Sequence, residues 1–169
     1  LVLSVLDELA PRVEVLTPSL QGWTHAELGG LPRIGVVAVR PFDHEAQDSN
    51  GDLLAVTEDP LTPSSLMLIE PGQAPALLKR APQTFSAEGL VVTRHEAVSV
   101  DGERIPYVQV GPPGETGDAP VHMTGYGGFG ASSLPYYNSA IGKLWLERGG
   151  TSVTANIRGG GEFGTRWHE

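Results

Sequence analysis

Two glycine-rich turns, each directly after a run of β-type residues, constrain the fold of this 169-residue chain more than any other feature. The first turn is residues 124–130 (Thr-Gly-Tyr-Gly-Gly-Phe-Gly), and the second is residues 158–164 (Arg-Gly-Gly-Gly-Glu-Phe-Gly). A helical pattern over residues 135–148 lies between them, and Gly149 follows it in the position of a C-terminal cap. Strand, turn, helix, strand and turn in this order predict an open α/β sheet, whose functional loops lie at the carboxyl ends of the strands.

Composition excludes several classes of partner. The formal net charge of −9 argues against a nucleic-acid partner, because phosphate binding requires clustered Lys and Arg. No apolar window reaches about 18 residues, so we expect no membrane span. The absence of cysteine excludes disulfides and thiolate catalysis. It fits a reducing compartment, and we expect a cytoplasmic protein, although the absence of cysteine is compatible with export as well. The five histidines show no metal-ligand spacing, so the sequence predicts no metal site and no cofactor.

The ends of the chain indicate a piece of a longer polypeptide. The first residue is Leu1 rather than Met, and no basic-then-apolar leader follows it. The last residue, Glu169, comes shortly after the second glycine turn. We therefore expect an internal segment that does not fold alone, because an incomplete sheet leaves strand edges unpaired.

The first half of the chain consists of short β-type runs separated by turn residues. This spacing predicts an antiparallel meander, as in a sandwich or a propeller blade. From residue 90 the pattern changes, because residues 90–100 and 104–110 alternate around Asp101-Gly102 and predict a β-hairpin that opens a second domain. We place the boundary near residue 89. The polar loop at residues 43–51 lacks the ligand spacing of a calcium site.

Gly125, Gly127 and Gly130 spell the Gly-x-Gly-x-x-Gly pattern of dinucleotide-binding proteins. That fingerprint requires a helix that begins within the turn and an acidic residue at the end of the next strand. Here Pro135 interrupts the helix, and the next strand ends in Asn156-Ile157-Arg158. The sequence therefore argues against a nicotinamide or flavin site.

A series of motifs in the second half resembles one peptidase family. The series is Gly-Tyr-Gly-Gly-Phe at residues 125–129, Glu-Arg-Gly-Gly at 147–150, Ala-Asn-Ile-Arg-Gly-Gly-Gly-Glu-Phe-Gly at 155–164, and Trp-His at 167–168. Together they resemble the prolyl oligopeptidase family (S9) of serine peptidases, with a weaker collinear likeness upstream. The resemblance implies that residues 1–89 are the C-terminal part of an all-β propeller. It implies that residues 90–169 are the N-terminal part of an α/β-hydrolase peptidase domain, truncated before the nucleophile.

The resemblance also implies roles for two aromatic residues of the first turn. Tyr126 is expected to donate its hydroxyl to the oxyanion, and Phe129 is expected to line the pocket for a proline before the scissile bond. The first turn lies where such a donor is expected. In an α/β-hydrolase, the loop after the third strand supplies one oxyanion donor. If the hairpin supplies strands one and two, residues 121–123 are strand three and the first turn is that loop. From the residues alone, the interpretation of both rings as core aromatics beside a tight turn is favoured, and the resemblance reverses this preference. In the second turn, a structural Arg158–Glu162 pair is favoured over an anion site.

The catalytic triad is expected beyond this chain. No Gly-x-Ser-x-Gly occurs in the sequence, and in an α/β-hydrolase the Ser, the acid and the His follow strand three in that order. The resemblance implies a parent serine peptidase that hydrolyses short peptides after proline through an acyl-enzyme, with the segment itself inactive and a monomer favoured. Two alternatives stay open: an esterase or acylaminoacyl hydrolase of the same fold, and a non-catalytic propeller protein with a decayed hydrolase domain.

Overall fold

A computed structural model describes residues 1–43, 45, 50–114 and 120–168 of the chain. It is mostly β-sheet with few, short helices. The chain divides into two compact units, Leu1–Pro82 and Gln83–Glu169. The division falls several residues before the predicted boundary near residue 89, and the assignment of the two units to a propeller and a hydrolase domain stays a prediction.

The first unit contains two antiparallel meanders in sequence order. The three-stranded sheet is β1 (Val2–Asp7), β2 (Ala10–Ser19) and β3 (Gly22–Glu27). The four-stranded sheet is β4 (Val36–Pro41), β5 (Leu53–Asp59), β6 (Thr62–Ile69) and β7 (Ala76–Arg80). The turn from β5 to β6 forms because Asp59 Oδ1 accepts the main-chain N–H groups of Leu61 and Thr62, both at 2.8 Å.

The core of the first unit lies on β5 and β6. Leu53, Ala55 and Ile69 are buried there, and partly buried apolar residues of both sheets pack against them, among them Val15 and Val39. Alternation along the strands places these residues on one face, as expected for antiparallel sheets with one packed face. The meander predicted from the first half of the sequence is confirmed.

The second unit is a four-stranded mixed sheet with strand order β10-β11-β9-β8. Its strands are β8 (Val91–Val98), β9 (Arg104–Gly111), β10 (Val121–Gly125) and β11 (Thr151–Ala155). β8 and β9 form the predicted hairpin, β9 runs antiparallel to β11, and β11 runs parallel to β10. The parallel pair is joined through helix α1 (Ser139–Leu144), so β10, α1 and β11 form a βαβ unit.

Helix α1 is shorter than the pattern over residues 135–148 predicted. It begins at Ser139, because the Asn138 side chain accepts hydrogen bonds from the main-chain N–H groups of Ala140 and Ile141 and caps the helix there. A 3₁₀ turn over Leu146–Arg148 completes the segment, and Gly149 ends it in the left-handed conformation at φ 82°. The predicted C-terminal cap is therefore confirmed. A last short helix, α2, covers Thr165–His168.

No helix in the described ranges is both long and apolar enough to cross a membrane. Most of the polar loop considered for calcium, at residues 44 and 46–49, lies outside the described residues, as do residues 115–119.

Candidate active site

The two glycine-rich turns lie against each other at one edge of the second unit's sheet. Since β10 and β11 are parallel neighbours, their carboxyl ends meet at that edge. The amide of Gly130 donates to the carbonyl of Gly159 at 3.2 Å. A Cβ on Gly127 would stand 2.2 Å from the Arg158 oxygen, and a Cβ on Gly159 would stand 1.9 Å from the Gly127 oxygen. The contact between the turns is therefore main chain against main chain, which only glycine permits here.

Tyr126 extends from the first turn with half of its surface exposed (50%). Its ring lies over Gly128, where an added Cβ would stand 2.9 Å from the phenolic oxygen. Gly128 therefore leaves room for the phenol. Tyr126 is therefore not buried among the described residues.

Phe129 is 93% exposed and holds a left-handed backbone conformation, with φ 57°. A bulky side chain seldom adopts this conformation, which for an L-residue costs about 1–2 kcal/mol. The ring contributes almost no buried surface in return. Like Tyr126, Phe129 is therefore not packed among the described residues.

A cleft of about 380 Å³ opens at the same edge. Thr124 and Thr154, near the ends of β10 and β11, line it together with Tyr126, Tyr136 and residues 132–134. Tyr126 thus reaches the cleft, whereas Phe129 is not among its lining residues. Of the two predicted site residues, Tyr126 therefore lies at the cleft and Phe129 does not line it.

Behind the cleft lies a buried polar cluster that the sequence reasoning missed, formed by Asn156 and Glu162. Asn156 is 0% exposed and Glu162 is 4% exposed. Glu162 Oε1 accepts the Ser133 main-chain N–H at 2.8 Å, and Asn156 Nδ2 donates to the Ser133 carbonyl at 2.7 Å and to Glu162 Oε1 at 3.0 Å. The other acceptor atoms, Asn156 Oδ1 and Glu162 Oε2, are buried without a partner among the described residues. A signal was present in the sequence, since a polar residue that directly follows a β-branched strand is placed at the functional edge of a parallel pair.

Arg158 and Glu162 do not form the predicted pair. The Arg158 guanidinium donates to the carboxylate of Asp101 and, at 3.1 Å, to the Ser99 hydroxyl, both at the tip of the β8–β9 hairpin. Hydrogen bonding from Arg158, together with bonds from Ser99 and the Glu103 amide, lowers the Asp101 pKa to about 2. The prediction failed because β9 is antiparallel to β11, so the start of β9 lies beside the end of β11. The hairpin tip, which precedes β9, therefore lies next to Arg158.

Helix α2 also contacts the second turn. The Gly159 amide donates to the Trp167 carbonyl at 2.6 Å, and His168 Nδ1 lies 2.9 Å from the Gly159 oxygen. The ring of Phe163 packs edge-on against that of Trp167, with centroids 4.8 Å apart. Trp167-His168 therefore serves the geometry of the turn.

No protein-family model matches the chain. It is 35% identical over 173 aligned residues to an uncharacterized peptidase of Sinorhizobium fredii, an alignment that covers 100% of this chain and 23% of that protein. It is also 37% identical over 87 residues to a prolyl endopeptidase of Elizabethkingia miricola. That alignment covers 50% of this chain and 12% of the endopeptidase.

A solved structure of a post-proline cleaving enzyme from Rickettsia typhi superposes with a TM-score of 0.80 at 30% identity. This superposition covers 99% of this chain and 24% of that enzyme. The chain thus spans about a quarter of the length of the proteins that it matches from end to end.

Proposed function

Because this chain belongs to the prolyl oligopeptidase family of peptidases, we propose that it is part of a serine-type peptidase that hydrolyses short peptides after proline. Two relatives support the specificity by name, one as a prolyl endopeptidase and one as a post-proline cleaving enzyme. We assign the first unit to a β-propeller and the second to the first strands of an α/β-hydrolase domain. The chain alone is inactive in this proposal, since it contains no Gly-x-Ser-x-Gly for the nucleophile.

The position of Tyr126 carries the proposal. Its half-exposed phenol lies in a cleft at the carboxyl end of β10, on a glycine turn that backbone contacts hold against its neighbour. A donor that stabilises an oxyanion must be held in place before the charge develops, because the gain depends on preorganisation. The turn supplies this preorganisation, because main-chain atoms of residues 158 and 159 restrict the backbone of Gly127, which is next to Tyr126.

The chemistry assigned to this segment is electrostatic. When a serine attacks the scissile carbonyl, negative charge develops on the carbonyl oxygen, and the Tyr126 hydroxyl donates a hydrogen bond to it. The serine, the histidine that takes its proton and the acid that orients the histidine come from elsewhere in the intact protein. One such donor contributes about 10²–10³ in rate.

Phe129 is assigned to substrate contact. A non-glycine residue that is held at positive φ while its ring stays in solvent indicates a constraint other than stability. A flat apolar ring is suited to the pyrrolidine ring of a proline. Because Phe129 lies outside the described cleft, this contact requires residues of the intact protein that complete the pocket.

The experiment is an assay of the intact protein on matched substrates. Peptides with proline before the scissile bond, the same peptides with alanine or arginine there, and p-nitrophenyl esters are compared by kcat/KM. The proposal expects the proline peptides to be preferred. Hydrolysis of the esters alone supports an esterase of the same fold, and turnover of none of them supports the non-catalytic alternative.

A further inference from the structure

We propose that Asn156 and Glu162 are positioning residues for the proposed oxyanion donor, and that they act by holding both main-chain polar groups of Ser133. The inference rests on the proposed function, because the donor is Tyr126. Ser133 and Tyr126 line the same cleft, and Asn156 and Glu162 lie buried behind it.

The hydrogen bonds around Ser133 are the first argument. One carboxylate oxygen accepts its N–H at 2.8 Å, and one amide nitrogen donates to its C=O at 2.7 Å. Asn156 Nδ2 and Glu162 Oε1 are also bonded to each other at 3.0 Å, so neither side chain moves without the other. The N–H belongs to the peptide unit before the Ser133 Cα and the C=O to the unit after it, so the two side chains restrain both peptide units that flank Ser133. A carboxylate acceptor also strengthens the bond to the N–H.

The anchoring of the two side chains is the second argument. Asn156 directly follows β11, and its main-chain N–H donates to the Pro106 carbonyl of β9 at 3.0 Å. This bond holds the Asn156 backbone against the sheet. Glu162 is packed against Gly160, where an added Cβ would stand 2.0 Å from Oε2. Both side chains therefore start from rigid backbone, and Ser133 is held relative to the sheet.

The third argument is the path from Ser133 to Tyr126. Residues 126–133 form one loop, and the second turn contacts it at intervals: at Gly127, at Gly130 and, through the polar cluster, at Ser133. A Cβ on Gly161 would stand 2.1 Å from the Gly130 oxygen, so the residue before Glu162 also packs on the loop. Loss of the two hydrogen bonds to Ser133 frees the end of the loop that lines the cleft together with Tyr126.

The unpaired acceptors are the fourth argument. Asn156 Oδ1 and Glu162 Oε2 are buried without a partner in the described part of the chain, and burial of an unpaired acceptor is unfavourable. The carboxylate nevertheless supplies a strong acceptor for the Ser133 N–H, so this main-chain group is where the cluster directs its hydrogen bonding.

The test compares variants of the intact protein on a proline peptide. Glu162→Ala removes the acceptor of the Ser133 N–H, and we expect kcat to fall by about 10²-fold with a smaller change in KM, because misplacement of a catalytic group by about 1 Å has that effect. Glu162→Gln keeps an oxygen acceptor and is expected to restore most of kcat. Glu147→Ala is the matched control, since Glu147 Oε1 also accepts a main-chain N–H, that of Ser86 at 2.8 Å, and does not line the cleft.

A second measurement does not depend on activity. Amide hydrogen exchange at Ser133 is expected to be faster in Glu162→Ala than in wild type, and unchanged in Glu147→Ala. If Glu162→Ala does not fold, Asn156→Ser is measured in its place. Asn156→Ser removes the donor to the Ser133 carbonyl and leaves the hydrogen bond from the Ser133 N–H to Glu162. Tyr126→Phe is combined with the folded variant, and we expect the two losses in kcat not to add, because both act through one hydroxyl.

The outcomes separate the two proposals. Unchanged exchange at Ser133, or a kcat that falls equally in the Glu147 control, overturns the positioning role while the proposed function stands. Full additivity with Tyr126→Phe also overturns it. Normal kcat in Tyr126→Phe removes Tyr126 from the mechanism and overturns the catalytic part of this inference, whereas the proposed peptidase function is overturned only by the substrate comparison described above.

Discussion

Arg158 and Asp101, which are 57 residues apart in sequence, form an ion pair that joins the second glycine turn to the tip of the β8–β9 hairpin. The pair lies on the surface, with side-chain exposures of 46% and 52%. Surface pairs contribute little to stability, so its importance lies in geometry. It restrains the start of the turn, next to Gly159, which helix α2 contacts.

The small contribution of this pair to stability is expected to be lost at acidic pH. The Asp101 pKa is lowered from 3.8 to about 2, chiefly by Arg158, so the stabilisation is present above about pH 4 and is lost as pH falls towards 2. Thermal unfolding of wild type and Asp101→Asn should therefore differ at pH 7 and converge near pH 2. A difference in melting temperature that persists at pH 2 would contradict the assignment.

Gly159→Ala is expected to destabilise the second unit strongly. Gly159 has φ 97°, and an added Cβ would stand 1.9 Å from the Gly127 oxygen. Gly164→Ala is the matched control, since Gly164 lies in the same turn at φ 75° with nothing within 4 Å of an added Cβ. The control should lose about 1–2 kcal/mol for the left-handed conformation alone, and Gly159→Ala should lose more, as measured by chemical denaturation. Equal losses would mean that the contact between the turns relaxes without cost.

Tyr126→Phe in the intact protein is expected to lower kcat by about 10²–10³-fold, with KM little changed, because the hydrogen bond to the oxyanion forms only in the transition state. Tyr136→Phe is its control. Tyr136 lines the same cleft, and its hydroxyl accepts from Asn138 Nδ2 at 3.2 Å, so its loss should leave kcat near wild type. Steady-state kinetics on a proline peptide decide between them, and equal effects of the two variants would remove Tyr126 from the mechanism.

Phe129 allows function and stability to be separated. Phe129→Ala and Phe129→Gly both remove the exposed ring, and both should lower kcat/KM on proline peptides. Only glycine relieves the positive φ, so Phe129→Gly should be more stable than Phe129→Ala by about 1 kcal/mol in denaturant unfolding. If both variants keep the wild-type kcat/KM, Phe129 does not contact the substrate.

The sequence predicted the elements whose signals are local. The hairpin around Asp101-Gly102, the strands β10 and β11 and the end of the helical segment at Gly149 are all present, because alternation and turn chemistry act within a few residues. The start of helix α1 was misplaced at Pro135, since the cap supplied by Asn138 outweighed the apolar spacing before it.

The contacts of the site depend on register and could not be predicted in the same way. Arg158 was paired with Glu162 because the two are close in sequence, but the antiparallel return of β9 places Asp101 beside Arg158. Glu162 is directed inward to the main chain of Ser133, 29 residues away. Neither arrangement has a periodic signature in the chain.

The main-chain contact between the two glycine turns has a consequence for protein engineering. No side chain mediates the closest approaches of Gly127 to residues 158 and 159, so no compensating side-chain substitution is available when either loop changes length. An insertion or deletion in one turn displaces its carbonyl oxygens, and the other turn is packed too closely to shift with them. Loop exchange between homologues should therefore succeed only when both turns are transplanted together, as a single cassette.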